Sequence, residues 1–581
     1  LLSIIIIAAF SISNLSAQIN TERMLLIGRN ALYYDDYALS IQYFNRIIDS
    51  KPHLYQPYFY RALAKFYLED YHGAETDCTY SIDINPYYIN SYEVRGLSRI
   101  HTGNYAGAAS DYETAIHIEA DHRSMWHNLV MCYIELDSLN RADTLLTDFI
   151  HRWPNHADGY ILRAQVCLKA GDTLRAETVS DQAIKADPYN STAWSLKGSL
   201  LMSRDEFQDA ETHLTEALRL KPKSPPDIVN RALCRYQQNN LRGAMSDYNL
   251  ALDIDPNNFI AHYNRGLLRA SVGEDNLAIE DFDFILQVDP DDIMTLFNRA
   301  RLYDQTGDYQ SAIRDYSRVI DQFPKFLYGY QLRAAARRKV GDTRGAMQDE
   351  EHILRENVAH RYGYSTPTNS QPNQTRKKSQ VDLYAYNQLV EDDEATQEEY
   401  DDPLRGKIQN HATEVRLMPL MLLEADAATA ATRVVPPYTI QLLGITPDMQ
   451  ETFRQAIDLA LSQGQQPMAE AAFTRLVETY PRFAEAYYNR AYLRAMQGNY
   501  TGAIDDLNRA IELKPQFALA YYNRAITHIM QGDTADIMDD LSRAGQLGVY
   551  QAYNIIKQQQ STINNKQSTI NNKQSTINNQ Q

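Results

Sequence analysis

The sequence predicts an all-α solenoid of helix–turn–helix repeats, interrupted by a mostly irregular insert. Two superimposed grids predict it. Pro52, Pro86, Pro154, Pro188, Pro222, Pro256, Pro290 and Pro324 fall on one 34-residue period, and Pro447, Pro481 and Pro515 resume it after a gap. Twelve residues before the grid slots from 86 to 358, of which those at Ala120 and Val358 lack the proline, stand Ala74, Ala108, Ala142, Ala176, Ala210, Ala244, Ala278, Ala312 and Ala346, and Ala469 and Ala503 stand twelve before Pro481 and Pro515. A fixed period of this length marks one small supersecondary unit stacked many times.

Each part of the unit has its own signal. Twenty-four residues before the proline slot the residue is again mostly small, as in Gly28, Ala62, Gly96, Ala164, Gly266 and Ala300. Small residues at two fixed points let two helices approach closely. Gly103-Asn104-Tyr105, Gly171-Asp172, Gly307-Asp308-Tyr309 and Gly498-Asn499-Tyr500 lie between them and read as turns that begin a second helix. The proline then stops that helix.

With position 1 set at Phe259, that repeat carries Gly266 at position 8, Gly273 at the turn, Ala278 at position 20, Phe282 at position 24 and Pro290 at position 32. In this register the chain resembles the tetratricopeptide repeat family over about 13 repeats. It departs from the family pattern at Val130 (position 8), Ile537 (position 20) and, at position 4, His262 and Leu296. The resemblance implies a right-handed superhelical solenoid whose first helices line a concave groove.

Position 7 is Arg and position 23 is Asp in eight repeats: Arg61/Asp77, Arg95/Asp111, Arg231/Asp247, Arg265/Asp281, Arg299/Asp315, Arg333/Asp349, Arg490/Asp506 and Arg524/Asp540. Ile27/Tyr43, Leu129/Leu145 and Ala456/Ala472 lack both, while Arg163 faces Val179 and Lys197 faces His213. Joint presence and joint absence predict an ion pair between the two helices of a repeat, with a scaffolding role.

The chain divides into five parts. Residues 1–17 read as a signal peptide whose start is truncated: Leu1–Phe10 is almost wholly apolar, and Ser16-Ala17-Gln18 offers a cleavage site. Residues 21–360 hold ten repeats. Residues 361–445 form a linker and insert, partly disordered, with a polar stretch Ser365–Gln380 and an acidic run Glu391–Asp402 read as solvated. Within it Glu414–Leu423 and Val434–Leu443 read as extended and could pair as a β-hairpin. Residues 446–557 add three repeats and a capping helix, Tyr550–Lys557. Residues 558–581 repeat KQSTINN and read as a disordered tail. The export signal places the protein in the periplasm, at the outer membrane or outside the cell, with membrane contact only through a retained signal or a partner.

Composition and motifs narrow the function. A net charge of −18 argues against a nucleic-acid binder. No phosphate loop, metalloprotease helix or nucleophile elbow occurs in the sequence, so no catalytic residue is assigned. His117/His151 and His122/His156 are one repeat period apart and read as echoes, not as metal ligands. No cofactor and no metal is expected. Cys78, Cys132, Cys167 and Cys234 fall at helical core positions, and only Cys132–Cys167 could approach within bridging distance.

What remains is the binding of a protein or peptide. In the resembled family the groove is lined by helix-A positions 2, 5, 6, 9, 12 and 13. Position 6 is Asn in Asn128, Asn230, Asn264, Asn298, Asn489 and Asn523, and an amide offers a donor and an acceptor to a peptide backbone. Phe59, Leu63, Tyr263, Leu267, Phe297, Tyr488, Tyr492 and Tyr522 supply apolar and aromatic surface beside them. Relatives that grip the acidic tails of heat-shock chaperones place Lys and Asn at positions 5 and 9; here Phe59, Leu63, Glu93, Leu97, His127 and Met131 stand there. The expected role is a non-enzymatic scaffold of the bacterial cell envelope. Its alternatives are an envelope assembly, secretion or transport factor whose activity lies in residues 361–445, or a self-associating structural protein. Ala278→Leu should overpack a helix contact and lower stability by about 1–3 kcal/mol, read as a lower midpoint in urea.

Overall fold

The computed structural model describes residues 20–362, 388–392, 400, 415–423, 434–462, 464–533 and 537–560. The signal-peptide assignment, the polar stretch Ser365–Gln380 and most of the tail lie outside them. Among the described residues the chain is helical without a named strand. Twenty helices, from Thr21–Tyr33 to Thr343–Tyr362, alternate as the first and second helices of ten repeats. Six more, from Pro447–Leu461 to Ile537–Gln546, make three.

The repeat grid has a direct physical cause at each point. The position-20 alanines Ala74, Ala108, Ala142, Ala176, Ala210, Ala244, Ala278, Ala312, Ala346, Ala469 and Ala503 are wholly buried. A Cβ added at Gly266 would stand 2.7 Å from the Phe282 ring, so the small position-8 residue makes room for the aromatic at position 24. Position 15 is left-handed in every repeat, from Asp35 at φ 61° to Gly532 at φ 84°. Gly holds it in eight repeats; Asp35, Glu69, Asp137, Asp205 and Asn239 adopt the same backbone at a modest steric cost. The following Asp or Asn, such as Asp70, Asn104 or Asn499, caps the second helix by accepting from the backbone N–H three residues on.

All eight Arg–Asp pairs form. Arg61–Asp77 and Arg524–Asp540 close to 2.5 Å, and Arg95–Asp111, Arg265–Asp281, Arg333–Asp349 and Arg490–Asp506 to 2.6 Å. Arg231–Asp247 and Arg299–Asp315 meet at 2.8 Å. The carboxylates are 2–6% exposed. A second cation at position 11 joins most of them, as Arg99 does with Asp111 at 2.8 Å and Arg269 with Asp281 at 2.7 Å. The exceptional repeats find other carboxylates: Arg163 takes Asp143 at 2.8 Å, and Lys197 takes Asp181 at 2.9 Å and Glu177 at 3.1 Å.

The chain folds as two compact bodies. The central body runs from Asp137 to Glu399. The terminal body joins the described residues up to Leu136 with the described residues between 400 and 560. In the terminal body the last helices dock on the first repeats. Ala552, Tyr553, Ile555 and Ile556 of a helix over 551–560 share a core with Tyr37, Ile41 and Ala64, and with Tyr522, Ile526 and Leu541. Gly545 makes this packing possible, since a Cβ there would meet the Tyr553 ring at 2.5 Å. Polar contacts knit the seam. Gln42 donates to the Tyr550 hydroxyl at 2.6 Å, Asn45 to the Gln546 carbonyl at 2.8 Å, and Ser542 to the Asp70 carboxylate at 2.5 Å.

Three readings of the sequence need correction. Val434–Leu443 is not a hairpin strand: Pro437–Leu443 is a helix, because Pro437 sits at its first turn, where a missing N–H costs nothing. Among the described residues its ladder contact is a single parallel bridge between Leu422 and Val434. The acidic run is not wholly solvated, since Asp392 is 1% exposed. The last helix extends to residue 560, three residues into the stretch assigned to the tail. All four cysteines are free and buried, Cys132 and Cys167 among them.

The ion pairs carry a stability prediction. Arg299→Ala leaves the buried Asp315 carboxylate without its fork and should cost about 3–5 kcal/mol, with Arg299→Lys recovering only part. Urea denaturation of both variants checks this order.

Candidate functional site

The position-6 asparagines sit on helices that are fixed on both sides by the repeat packing. Asn230 lies on Pro225–Gln237, Asn264 on Phe259–Ser271, Asn489 on Ala484–Met496 and Asn523 on Ala518–Gln531. All four are at most 1% exposed. Each uses both ends of its amide on the backbone of one residue of the chain's own insert.

In the central body Asn264 donates to the Val390 carbonyl at 2.7 Å and accepts from the Val390 N–H at 2.8 Å. Asn230, one repeat earlier, does the same to Asp392, at 2.6 and 2.7 Å. The Asn258 amide lies 3.5 Å from the Asp392 carboxylate. Leu389 packs beside Leu201, Leu214 and Cys234, and Val390 beside Leu267, Phe282 and Leu302.

In the terminal body Asn489 holds Met421, donating to its carbonyl at 3.0 Å and accepting from its N–H at 2.8 Å. Asn523 holds Met418, at 3.0 and 2.6 Å. The Tyr488 hydroxyl stands 3.0 Å from the carbonyls of both Met418 and Pro419, and Asn523 donates to that hydroxyl at 2.9 Å. Pro419 fits between the two held residues because it has no N–H to satisfy. Leu420 and Met421 are buried with Phe453, Phe473 and Tyr488 in the core of the C-terminal repeats. Burying two such side chains contributes roughly 1.5–3 kcal/mol each.

The two sites share a polarity. As the repeats advance from Asn230 to Asn264, the held residue moves back from 392 to 390; from Asn489 to Asn523 it moves back from 421 to 418. Both segments therefore run antiparallel to the repeat order. The arrangement copies the exchange of hydrogen bonds in a β-ladder, with side-chain amides in place of a neighbouring strand.

The other groove residues predicted from the sequence are placed differently. Asn298 donates to the Tyr263 hydroxyl at 3.2 Å, a pairing that repeats Asn523 with Tyr488. Asn128 donates to the Tyr112 hydroxyl at 3.4 Å. Phe297 is wholly buried against Tyr316 and Phe326, and Phe59 packs edge-on to Tyr88. Tyr522 lies in the core of the seam, Tyr492 packs beside the C-terminal core, and Leu63 is half-buried. Sequence reasoning missed Asn258 and Gln551, which reaches the Met418 sulfur at 3.1 Å. It also missed that apolar Leu389-Val390, directly before the acidic run, would dock.

Burial sets the protonation of the groove. It pushes the Tyr263 hydroxyl well up, and moves Tyr522 and the Cys234 thiol up to about 12. These groups stay neutral and available as donors. Among the described residues no three His, Cys, Asp or Glu side chains converge as a metal would need.

Residues 133–225 and 454–536, in overlapping segments, match the tetratricopeptide repeat family, as do residues 234–273 and 294–325. The chain is a tetratricopeptide repeat protein. No curated protein matches it. Among solved structures it is similar to PilF of Pseudomonas aeruginosa, with 19% identity and a TM-score of 0.34 over 37% of this chain and 97% of that one. It is also similar to a tetratricopeptide repeat protein of Parabacteroides merdae, with 15% identity and a TM-score of 0.32 over 43% and 98%. PilW, a widely conserved type IV pilus biogenesis factor, shares 20% identity with a TM-score of 0.31 over 36% and 94%.

Replacing both terminal-body rungs, Asn489→Ala with Asn523→Ala, strips the Met418 N–H and the Met421 N–H and C=O of their partners while the Met418 carbonyl keeps the Tyr488 hydroxyl, each group worth about 1–3 kcal/mol if left buried and unpaired. Hydrogen exchange at the Met418 and Met421 amides should accelerate while the Arg61 helix stays protected.

Proposed function

We propose that this tetratricopeptide repeat protein is a non-enzymatic scaffold of the bacterial cell envelope that holds an extended segment of a partner protein in its concave grooves. The single observation behind this reading is the use of four position-6 asparagines, each exchanging two hydrogen bonds with the backbone of one extended residue. A backbone reader of this kind binds by main-chain complementarity and takes its specificity from flanking pockets. Tyr263, Leu267, Tyr488 and Tyr492 lie beside the rungs; in this proposal they supply those pockets.

The envelope location rests on the apolar run Leu1–Phe10 and the small-residue stretch after it. No described helix is long and apolar enough to cross a membrane. The five-part division of the chain is retained here, with the ten repeats of 21–360 and the three of 446–557 as the binding elements and 361–445 as the connecting insert.

A crosslinking pull-down from the native envelope tests the reading. It compares the intact chain with Asn230→Ala/Asn264→Ala and with Asn489→Ala/Asn523→Ala, each checked for helicity by circular dichroism. A partner captured by the intact chain and lost in one of the well-folded double variants supports groove recognition. A partner retained by both moves the site to the insert or the convex face. Growth of particle size with concentration in the absence of any partner favours the self-associating alternative.

A further inference from the structure

The two insert segments are held unequally. Residues 415–423 cannot leave without opening a core, because Leu420 and Met421 are 5% and 2% exposed among the repeat side chains. Tyr488 and Gln551 add to their hold, and Val435 donates to the Leu422 carbonyl at 2.7 Å. Residues 388–392 lie on the central body differently. Leu389 and Val390 are only half-buried, each packed against a separate cluster of repeat side chains, and Asp392 is the one deeply buried residue of the segment.

We propose that the groove formed by Pro225–Gln237 and Phe259–Ser271 receives from a partner protein an extended segment reading apolar, apolar, any residue, acidic, for which Leu389-Val390-Glu391-Asp392 is the exchangeable resident. The proposal rests on the groove reading given above and adds the chemistry of the ligand and the choice of groove.

The rungs define the ligand's form. Asn264 and Asn230 hold residues two apart, so the segment must be extended, with an N–H and a C=O on both held residues. Proline is therefore barred at either held place, in contrast to the terminal body, where it sits between them. The pockets define the side chains. The first apolar residue packs against the cluster of Leu201, Leu214 and Cys234, and the second against the cluster of Tyr263, Phe282 and Leu302. The last acid is 1% exposed and faces the Asn258 amide. Asn258 spends its oxygen on the Ala261 N–H as a helix cap, which turns its nitrogen toward the ligand as a donor. A donor at this point favours a carboxylate. The resident is tethered to the same chain, so it competes at high effective concentration and keeps the groove selective.

The test uses the full chain and a synthetic peptide with Gln-Leu-Val-Glu-Asp between Gly-Ser flanks, followed by fluorescence anisotropy. A full-chain variant, Leu389→Gly with Val390→Gly, weakens the resident and leaves the repeats intact. The peptide should bind the variant at least about tenfold more tightly than the native chain, since the tethered competitor has been weakened. Adding Asn230→Ala and Asn264→Ala should abolish binding. A peptide with Asn in place of the Asp should bind at least about fivefold more weakly, the carboxylate facing the Asn258 amide being lost. Equal affinity for the native and variant chains overturns the exchange, as does failure of the acidic peptide to bind a variant of unchanged helicity. A second peptide carrying Leu-Met-Pro-Leu-Met separates the levels. If it binds and the acidic peptide does not, the ligand chemistry falls and the groove reading stands; if neither binds, both fall. Hydrogen exchange on the native chain is independent of any variant. The Val390 and Asp392 amides should exchange at least about tenfold faster than those of Met418 and Met421, and equal protection overturns the proposal.

Discussion

The repeat stack depends on the helix-A arginine at position 7. Its guanidinium offers five N–H groups in a rigid fork, so it can bind in two directions at once. One side grips the aspartate sixteen residues ahead, in the second helix of its own repeat. The remaining N–H reaches sixteen residues back, to the second helix of the preceding repeat. Arg61 thus takes Asn45 at 2.8 Å, Arg265 takes Asn249 at 2.9 Å, Arg299 takes Asp283 at 2.7 Å and Arg524 takes Asn508 at 2.7 Å. One side chain fixes both the angle within a repeat and the step to the previous one. The balance of forces at the carboxylates differs from place to place. Burial pushes Asp77 up, but the charges of Arg61 and Lys65 and their hydrogen bonds bring it below its ordinary value. At Asp111 burial outweighs Arg95 and Arg99, and the nearby Glu75 adds a like charge, so the carboxyl ends above it.

The same arginine prepares the seam of the terminal body. Arg61 and Lys65 hold Asp77 on one repeat, and Lys65 also donates to the Gln546 side chain at 3.1 Å. The seam is therefore built where the first repeats are already rigid. It is apolar at its centre, with Ile41, Ala64, Leu541 and Ile555 wholly buried, and polar at its margin. A solenoid end would otherwise expose apolar surface, which terminal repeats must cover. Here the last helices cover the first repeats, and each serves as the other's cap.

The grooves show how a solenoid can read a backbone. An asparagine at position 6 reaches across the groove with a donor and an acceptor in one plane. Repeating it at the step of the stack produces a row of such pairs, spaced to meet an extended chain. Filling the row with the insert removes buried amides from the category of unpaired polar groups, which a folded interior tolerates poorly. The row in the terminal body has become part of a core. The row in the central body holds a segment whose apolar residues, Leu389 and Val390, stay half-buried.

Much of this was legible in the sequence because a repeat multiplies each local constraint. The position-20 alanines, the left-handed turn residue, the capping Asp or Asn and the paired Arg and Asp recur at fixed spacing. Any one alone is ambiguous, but all in register determine the helices, their pairing and the rows of asparagine. What lies outside the repeat was not legible. The docking of 551–560 onto Tyr37 and Ile41 joins residues about five hundred apart by shape, with no periodic mark. Leu389-Val390 and Leu420-Met421 look like scattered apolar residues in a polar insert, and Pro436-Pro437 looked extended but begins a helix. The sequence by itself determined the repeat and its ion pairs, because those depend on neighbours one period away. Only the tertiary structure decided what the grooves hold and where the chain's end packs, because those contacts depend on distances that no local pattern encodes.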